Sequence, residues 1–168
     1  MKPDFDYVPE FYHGYVALVA DLPLIEALTR SKNVCFEFFE SIHEDKGNYA
    51  YAEGKWSIKE LINHIIDAER VFAYRALSFA RNDRSVLPGF DENIWTPVSK
   101  ANSRSLADIV NEYRQVSEST ISMFKSFDNE MLNRTGTASN VEFNVANIGF
   151  ITAGHESHHV SILKERYL

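Results

Sequence analysis

Apolar residues recur at three- and four-residue intervals in four separate stretches of the chain, the period that lines one face of an α-helix. The first stretch, 21–42, opens on Asp21 and Pro23, both helix-start residues, and places Ile25, Leu28, Cys35, Phe38, Phe39 and Ile42 near helical spacing. The turn cluster HEDKGNYAYAEGK ends it. The second begins at Ser57 with Glu60 three residues on, a capping-box signature, and carries Leu61, Ile65, Ala68, Phe72 and Phe79 with His64 at the stripe's edge. The third restarts at Ser105 and Asp108 and continues through Leu106, Ile109, Val110, Tyr113, Val116 and Phe124 until NRTGTASN breaks it. From about Asn144, the residues Ile148, Ile151, His155, His159 and Ile162 form a fourth stripe that includes two histidines. No segment alternates strongly enough to predict a strand.

The link between the second and third helices, NDRSVLPGFDENIWTPVSKAN, holds a Pro-Gly pair and a further proline and exceeds the usual length of a helix connection. A link of that length can cross a bundle and let the two helices it joins run parallel. The expectation is an all-α, four-helix bundle in up-down-down-up order, one domain over 1–168. Within the link, Phe90 and Trp95 are expected to wall a pocket or seal the end of the bundle.

At 168 residues, 45% hydrophobic and 24% charged, the chain has the composition of a single soluble domain. Its net charge of -7, without a Lys/Arg cluster, excludes nonspecific nucleic-acid binding. No apolar run is long enough to span a bilayer, and MKPDFDYVPEF lacks a signal peptide's apolar core, so no membrane association and a cytoplasmic location are expected. The single Cys35 excludes an intramolecular disulfide, and its apolar neighbours make it a structural thiol.

The C-terminal GHESHHVSILKERYL contains His155, Glu156 and His159 in the order H-E-x-x-H of zinc metallopeptidases. Residues four apart share a helix face, so the two imidazoles can converge on one ion, but a catalytic metal needs about three protein ligands. Nine residues follow His159, and Ile162 and Glu165 stand where the metzincin extension wants glycine and histidine. Glu165 itself lies roughly 120° around the helix from His159. The third ligand therefore comes from upstream, and His64 is the inward candidate, whereas His13 and His43 lie in polar or irregular surroundings. The expected metal set is His64, His155 and His159, with His158 able to exchange roles with His159. Asp67, one turn after His64, is a candidate for orienting an imidazole, for joining the metal, or for a plain solvated carboxylate. Glu69 and Glu156 are read as surface or salt-bridge residues.

Taken together, YVALVADLPLIEAL, KWSIKELINHIIDAERVFAYRALSFARND, LPGFDEN, SLADIVNEYR, GTAS and AGHESHHVSILKERYL resemble the DinB-like bundle superfamily over nearly the whole chain. That family is similar to the bacillithiol and mycothiol S-transferases. The resemblance implies the up-down-down-up bundle, a homodimer, and a zinc or nickel ion held by three histidines, whose pattern falls on His64, His155 and His159. It implies a thiol-dependent transferase acting on small electrophiles, with a metal-dependent hydrolase or a noncatalytic metal or ligand binder as alternatives. It names no catalytic side chain.

Overall fold

The computed structural model describes all residues 1–168. Two short 3-10 turns lead into α1 (His13–Ala17), followed by α2 (Leu24–Glu40), α3 (Ile58–Ala80), α4 (Glu92–Val98), α5 (Leu106–Lys125) and α6 (Asn129–Asn133). A hairpin of β1 (Thr135–Ala138) and β2 (Val141–Asn144) then runs directly into α7 (Val145–Arg166). Three of the four long helices start where a side chain caps exposed amides, whereas α2 starts after Pro23. Ser57 Oγ accepts from the Glu60 amide at 3.1 Å while the Glu60 carboxylate accepts from the Ser57 amide at 2.8 Å, closing the expected box. Ser105 and Asn144 cap α5 and α7 through the amides of Asp108 and Asn147.

Contacts along the four long helices fix their directions. Leu24 seats against Gly149 and the Ser31 hydroxyl donates to the Ala153 carbonyl, so α2 and α7 run parallel. The Tyr167 hydroxyl, past the end of α7, donates to Trp56 just before α3, while Phe72 meets His155 further up, so α3 and α7 are antiparallel. Ser57 pairs with Asn102 and Glu69 with Ser117, making α3 and α5 parallel. Lys32 reaches Glu118 and Phe39 packs edge-on against Tyr113, which sets α2 against α5 in opposite directions. The result is the up-down-down-up bundle. No helix is long and apolar enough to cross a membrane.

Two departures lie outside the long helices. The crossover carries the short α4, and Leu87 within it exchanges backbone hydrogen bonds with Thr137 and Ser139, strapping the link to the hairpin. The hairpin contradicts the expectation of no strand. Its strands have four residues each, too few for alternation to show, and its signal is the turn: Ser139 and Asn140 take φ of 52° and 64°, the left-handed pair that a two-residue turn requires. Gly136 in β1 admits the Phe79 ring, which would stand 2.1 Å from any Cβ there.

Helix α7 departs most from a one-striped reading. Every residue from Val145 to Glu156 is buried, because α1, α2, α3, α6 and β2 cover it from different sides. Glu156 is consequently not at the surface. It and Glu69 are each 2% exposed, and both face the seam with α5, where Ser117 Oγ donates to Glu69 at 2.7 Å and lies 3.5 Å from Glu156. Burial raises the pKa of both carboxyls, and for Glu156 the neighbouring Glu69 raises it further. The pair keeps a proton in its dry surroundings instead of forming the expected salt bridges.

This arrangement has a stability consequence with a defined sign. A carboxyl whose folded pKa exceeds its ordinary 4.5 holds its proton while the unfolded chain ionises, so stability is lost as pH rises above that value. Glu156→Gln, which mimics the acid that keeps the proton, is expected to gain stability relative to the parent as pH rises from about 5 to 8. The gain is about 1.4 kcal/mol for each pH step over which the folded acid stays protonated and the unfolded one is ionised. Parallel denaturant titrations at the two pH values measure this, and an unchanged difference between the proteins would contradict the buried, protonated pair.

Candidate metal centre

His64 sits in the second turn of α3, and His155 and His159 sit one turn apart on α7. Because the two helices are antiparallel, the three side chains meet. His155 Nε2 lies 3.2 Å from His64 Nε2 and 3.0 Å from His159 Nε2, and all three rings are buried. A neutral imidazole nitrogen offers one in-plane direction, either a lone pair or an N–H. His155 Nε2 can therefore satisfy one of its two neighbours, and hydrogen bonding alone leaves the cluster unpaired.

The spacing fits a shared cation. With metal–nitrogen bonds of about 2.0–2.1 Å, ligand nitrogens lie roughly 3.3 Å apart at a tetrahedral angle and roughly 2.9 Å apart at a right angle, and the observed separations fall between. Protonation fits as well. Burial holds His64 down at about 4 and His159 at about 3, and it lowers His155 well below the ordinary 6.5, so all three are neutral ligands at pH 7. His64, His155 and His159 form a group able to hold a divalent metal ion.

The cluster opens into a cavity of about 190 Å³ with largely aromatic walls. Trp56 stacks on His64 with centroids 4.9 Å apart, and Tyr15 and Phe72 stand edge-on to His155 at 5.6 and 5.9 Å. Tyr15 reaches this position because α1 crosses α7 at Gly154, where a Cβ would lie 2.1 Å from the Tyr15 carbonyl oxygen. Arg75 and Glu92 contribute the cavity's charges. None of Tyr15, Trp56, Arg75 and Glu92 was legible as a site residue. Their placement depends on tertiary crossings, and Gly154 beside the first histidine is the one local sign of a close approach.

The remaining candidates separate clearly. His158 is half-buried and stacks on Tyr15 at 4.7 Å, outside the triad, so it does not exchange with His159. Asp67 accepts from Asn63 at 2.9 Å and faces Arg70 near the seam with α5; it bonds no imidazole, which removes its orienting role. His13 bonds the Val8 carbonyl and His43 pairs with Asp45, both away from the site. Phe90 walls the cavity, whereas Trp95 stacks on its outer side. Glu156, the general base of the peptidase motif, lies on a different face of α7, turned toward Ser117 of α5.

Comparison with known proteins agrees with this architecture. A protein of Oceanobacillus iheyensis, provisionally named a metal-dependent hydrolase, is 26% identical over 130 residues, spanning 76% of this chain and 74% of that one. YfiT of Bacillus subtilis, provisionally described as a metal-dependent hydrolase with an unusual four-helix bundle topology, superposes with a TM-score of 0.71 at 13% identity over 98% of this chain and 90% of its own. The mycothiol-dependent maleylpyruvate isomerase superposes at 0.69 with 12% identity, covering 83% of this chain but 60% of the isomerase. The DinB-like protein YjoA of Bacillus subtilis gives 0.62 at 20% identity, over 84% and 86% of the two chains. The structural likenesses establish the shared fold. The sequence profile of the DinB superfamily matches residues 27–163, and the chain is a member of that superfamily.

Proposed function

We propose that this protein is a metalloenzyme in which His64, His155 and His159 hold a zinc or nickel ion and a small-molecule thiol is the nucleophile transferred to an electrophile. The observation that carries the reading is the convergence of three neutral Nε2 atoms at 3.0 and 3.2 Å on the wall of a cavity. A divalent ion there supplies Lewis acidity, which lowers the pKa of a thiol or of water. The chain's own residues supply the setting. Burial keeps the imidazoles unprotonated, Trp56, Tyr15 and Phe72 exclude water around them, and α1 holds the cavity closed on one side.

The nucleophile has to come from solution. Cys35, the one thiol in the chain, is buried on another face of the bundle, and burial pushes its pKa up. A reducing, cytoplasmic setting would provide such thiols. The mycothiol dependence of one structural neighbour supports this choice. Hydrolysis is the second reading, favoured by the names of two relatives and by the presence on the cavity wall of Glu92, a carboxylate of the type that serves as a general base. A peptidase of the H-E-x-x-H type is disfavoured, since Glu156 points into the α5 seam.

Protein purified without chelator is expected to carry about one divalent transition metal per chain by elemental analysis. His64→Ala should weaken metal affinity by more than about a hundredfold, beyond the loss seen when only an outer partner of a ligand is removed. Glu156→Gln should retain the metal. Retention by His64→Ala would sink the three-histidine site.

Consumption of small thiols in the presence of an electrophilic dye should follow metal content and stop on chelation. Hydrolysis of simple esters by loaded protein that leaves thiols untouched, and that falls with Glu92→Gln, would instead select the second reading. A homodimer belongs to the same proposal, and light scattering giving the single-chain mass of 19.3 kDa would reject it.

A further inference from the structure

Arg75 is the charged side chain that the metal centre leaves unexplained. It lies about three turns beyond His64 on α3, hence on the same helix face, and lines the same cavity as the three histidines. The residue is 2% exposed, with its guanidinium near the rings of Phe72 and Phe143, 5.9 Å from each centroid. Nη2 donates to the Pro88 carbonyl at 3.0 Å and to Ser139 Oγ at 2.9 Å. Nε is shut off from solvent and has no acceptor.

No carboxylate neutralises this cation. Arg70 and Arg104, by contrast, share Asp67, Asp108 and Glu112 on the bundle's other seam. The Tyr12 hydroxyl beside Arg75 is no counter-ion, because burial raises its pKa and keeps it protonated. Glu92 shares the cavity without forming an ion pair with Arg75. A buried guanidinium held by neutral oxygens alone, from Pro88, Ser139 and the neighbouring Tyr12, with no carboxylate on it, is an unfavourable arrangement that an anion entering the cavity would relieve.

We infer that Arg75 is a substrate-recognition residue, and that the cavity takes a small molecule bearing a carboxylate on an apolar body. The inference rests on reading the histidine cavity as the substrate site, and it does not require the metal. A planar carboxylate matches the guanidinium edge, the walls suit an apolar body, and Glu92 in the same small cavity disfavours a doubly charged phosphate.

Phenylbutyrate and its neutral amide, phenylbutyramide, provide the test, with binding measured by calorimetry before and after chelation. The parent protein should prefer the carboxylate by about tenfold or more in both states, the size of a charge-assisted hydrogen bond. Arg75→Gln should bring the two ligands within about twofold of each other while leaving amide affinity unchanged, and Arg75→Lys should keep part of the preference. Ser139→Ala removes one neutral tie and keeps the charge, so it should retain the preference. Equal binding by the parent, which needs no variant to fold, would overturn the inference. So would a preference that survives Arg75→Gln, disappears with Ser139→Ala, or vanishes on chelation, the last assigning the carboxylate to the metal. A protein that takes up no metal yet keeps the preference would refute the metal reading and leave this one standing.

Discussion

Three imidazole nitrogens directed at one small volume form the constraint around which this bundle is organised. In water each would find its own partner, but inside the fold His155 Nε2 has two neighbours and one hydrogen-bonding direction. An unsatisfied buried polar group costs about 1–3 kcal/mol, and the surrounding aromatic rings offer no acceptor to reduce that cost. The antiparallel pairing of α3 and α7 creates the juxtaposition, and the crossing of α1 at Gly154 keeps it covered. A cation is the one partner that satisfies all three lone pairs together, so the same geometry that is unfavourable as hydrogen bonding is favourable as a ligand set.

Placing α7 at the centre, covered on several sides, also separates two kinds of chemistry by a single residue. His155 turns toward α3 and the open cavity, while Glu156, about 100° around the helix, turns toward α5 and the closed core. One side holds neutral nitrogen donors beside a cavity. The other holds the Glu69–Glu156 pair, which keeps a proton, with Ser117 between the two carboxyls and the Tyr113 hydroxyl nearby. The H-E-x-x-H spacing therefore brings two histidines to one face here without the carboxylate that the same letters supply elsewhere, because a motif specifies angles on one helix and not which neighbour each face meets.

The four long helices were legible because each shows apolar residues at helical spacing and each opens on a helix-start residue, Pro23 for α2 and a capping side chain such as Ser57 or Ser105 for the others. The order of the bundle followed from one long connection. The two histidines on α7 were legible from their spacing, and His64 from its inward position on a second helix. Glu156 was misplaced for a physical reason: periodicity assumes one wet face, and a helix buried from Val145 to Glu156 has none over that length. The hairpin escaped because four-residue strands give too little alternation, although the Ser139-Asn140 pair carried the turn. Tyr15, Trp56, Arg75 and Glu92 come from four different elements or connections, and no local pattern records that they will line one cavity.

Charge links the local chemistry to the whole molecule. The chain carries a net -7, yet its cavity sets a buried, unpaired Arg75 and three neutral imidazoles against the single carboxylate of Glu92. Any divalent ion held by the histidines would make that interior more positive. An anionic ligand would thus approach through an unfavourable overall field and bind in a favourable local one. At physiological ionic strength, fields from exposed charges fade within about 8 Å, whereas a charge walled by Phe72 and Phe143 is little screened. The acidic surface would therefore have little influence on what binds once a ligand is inside, and selection would depend on the few groups that line the cavity.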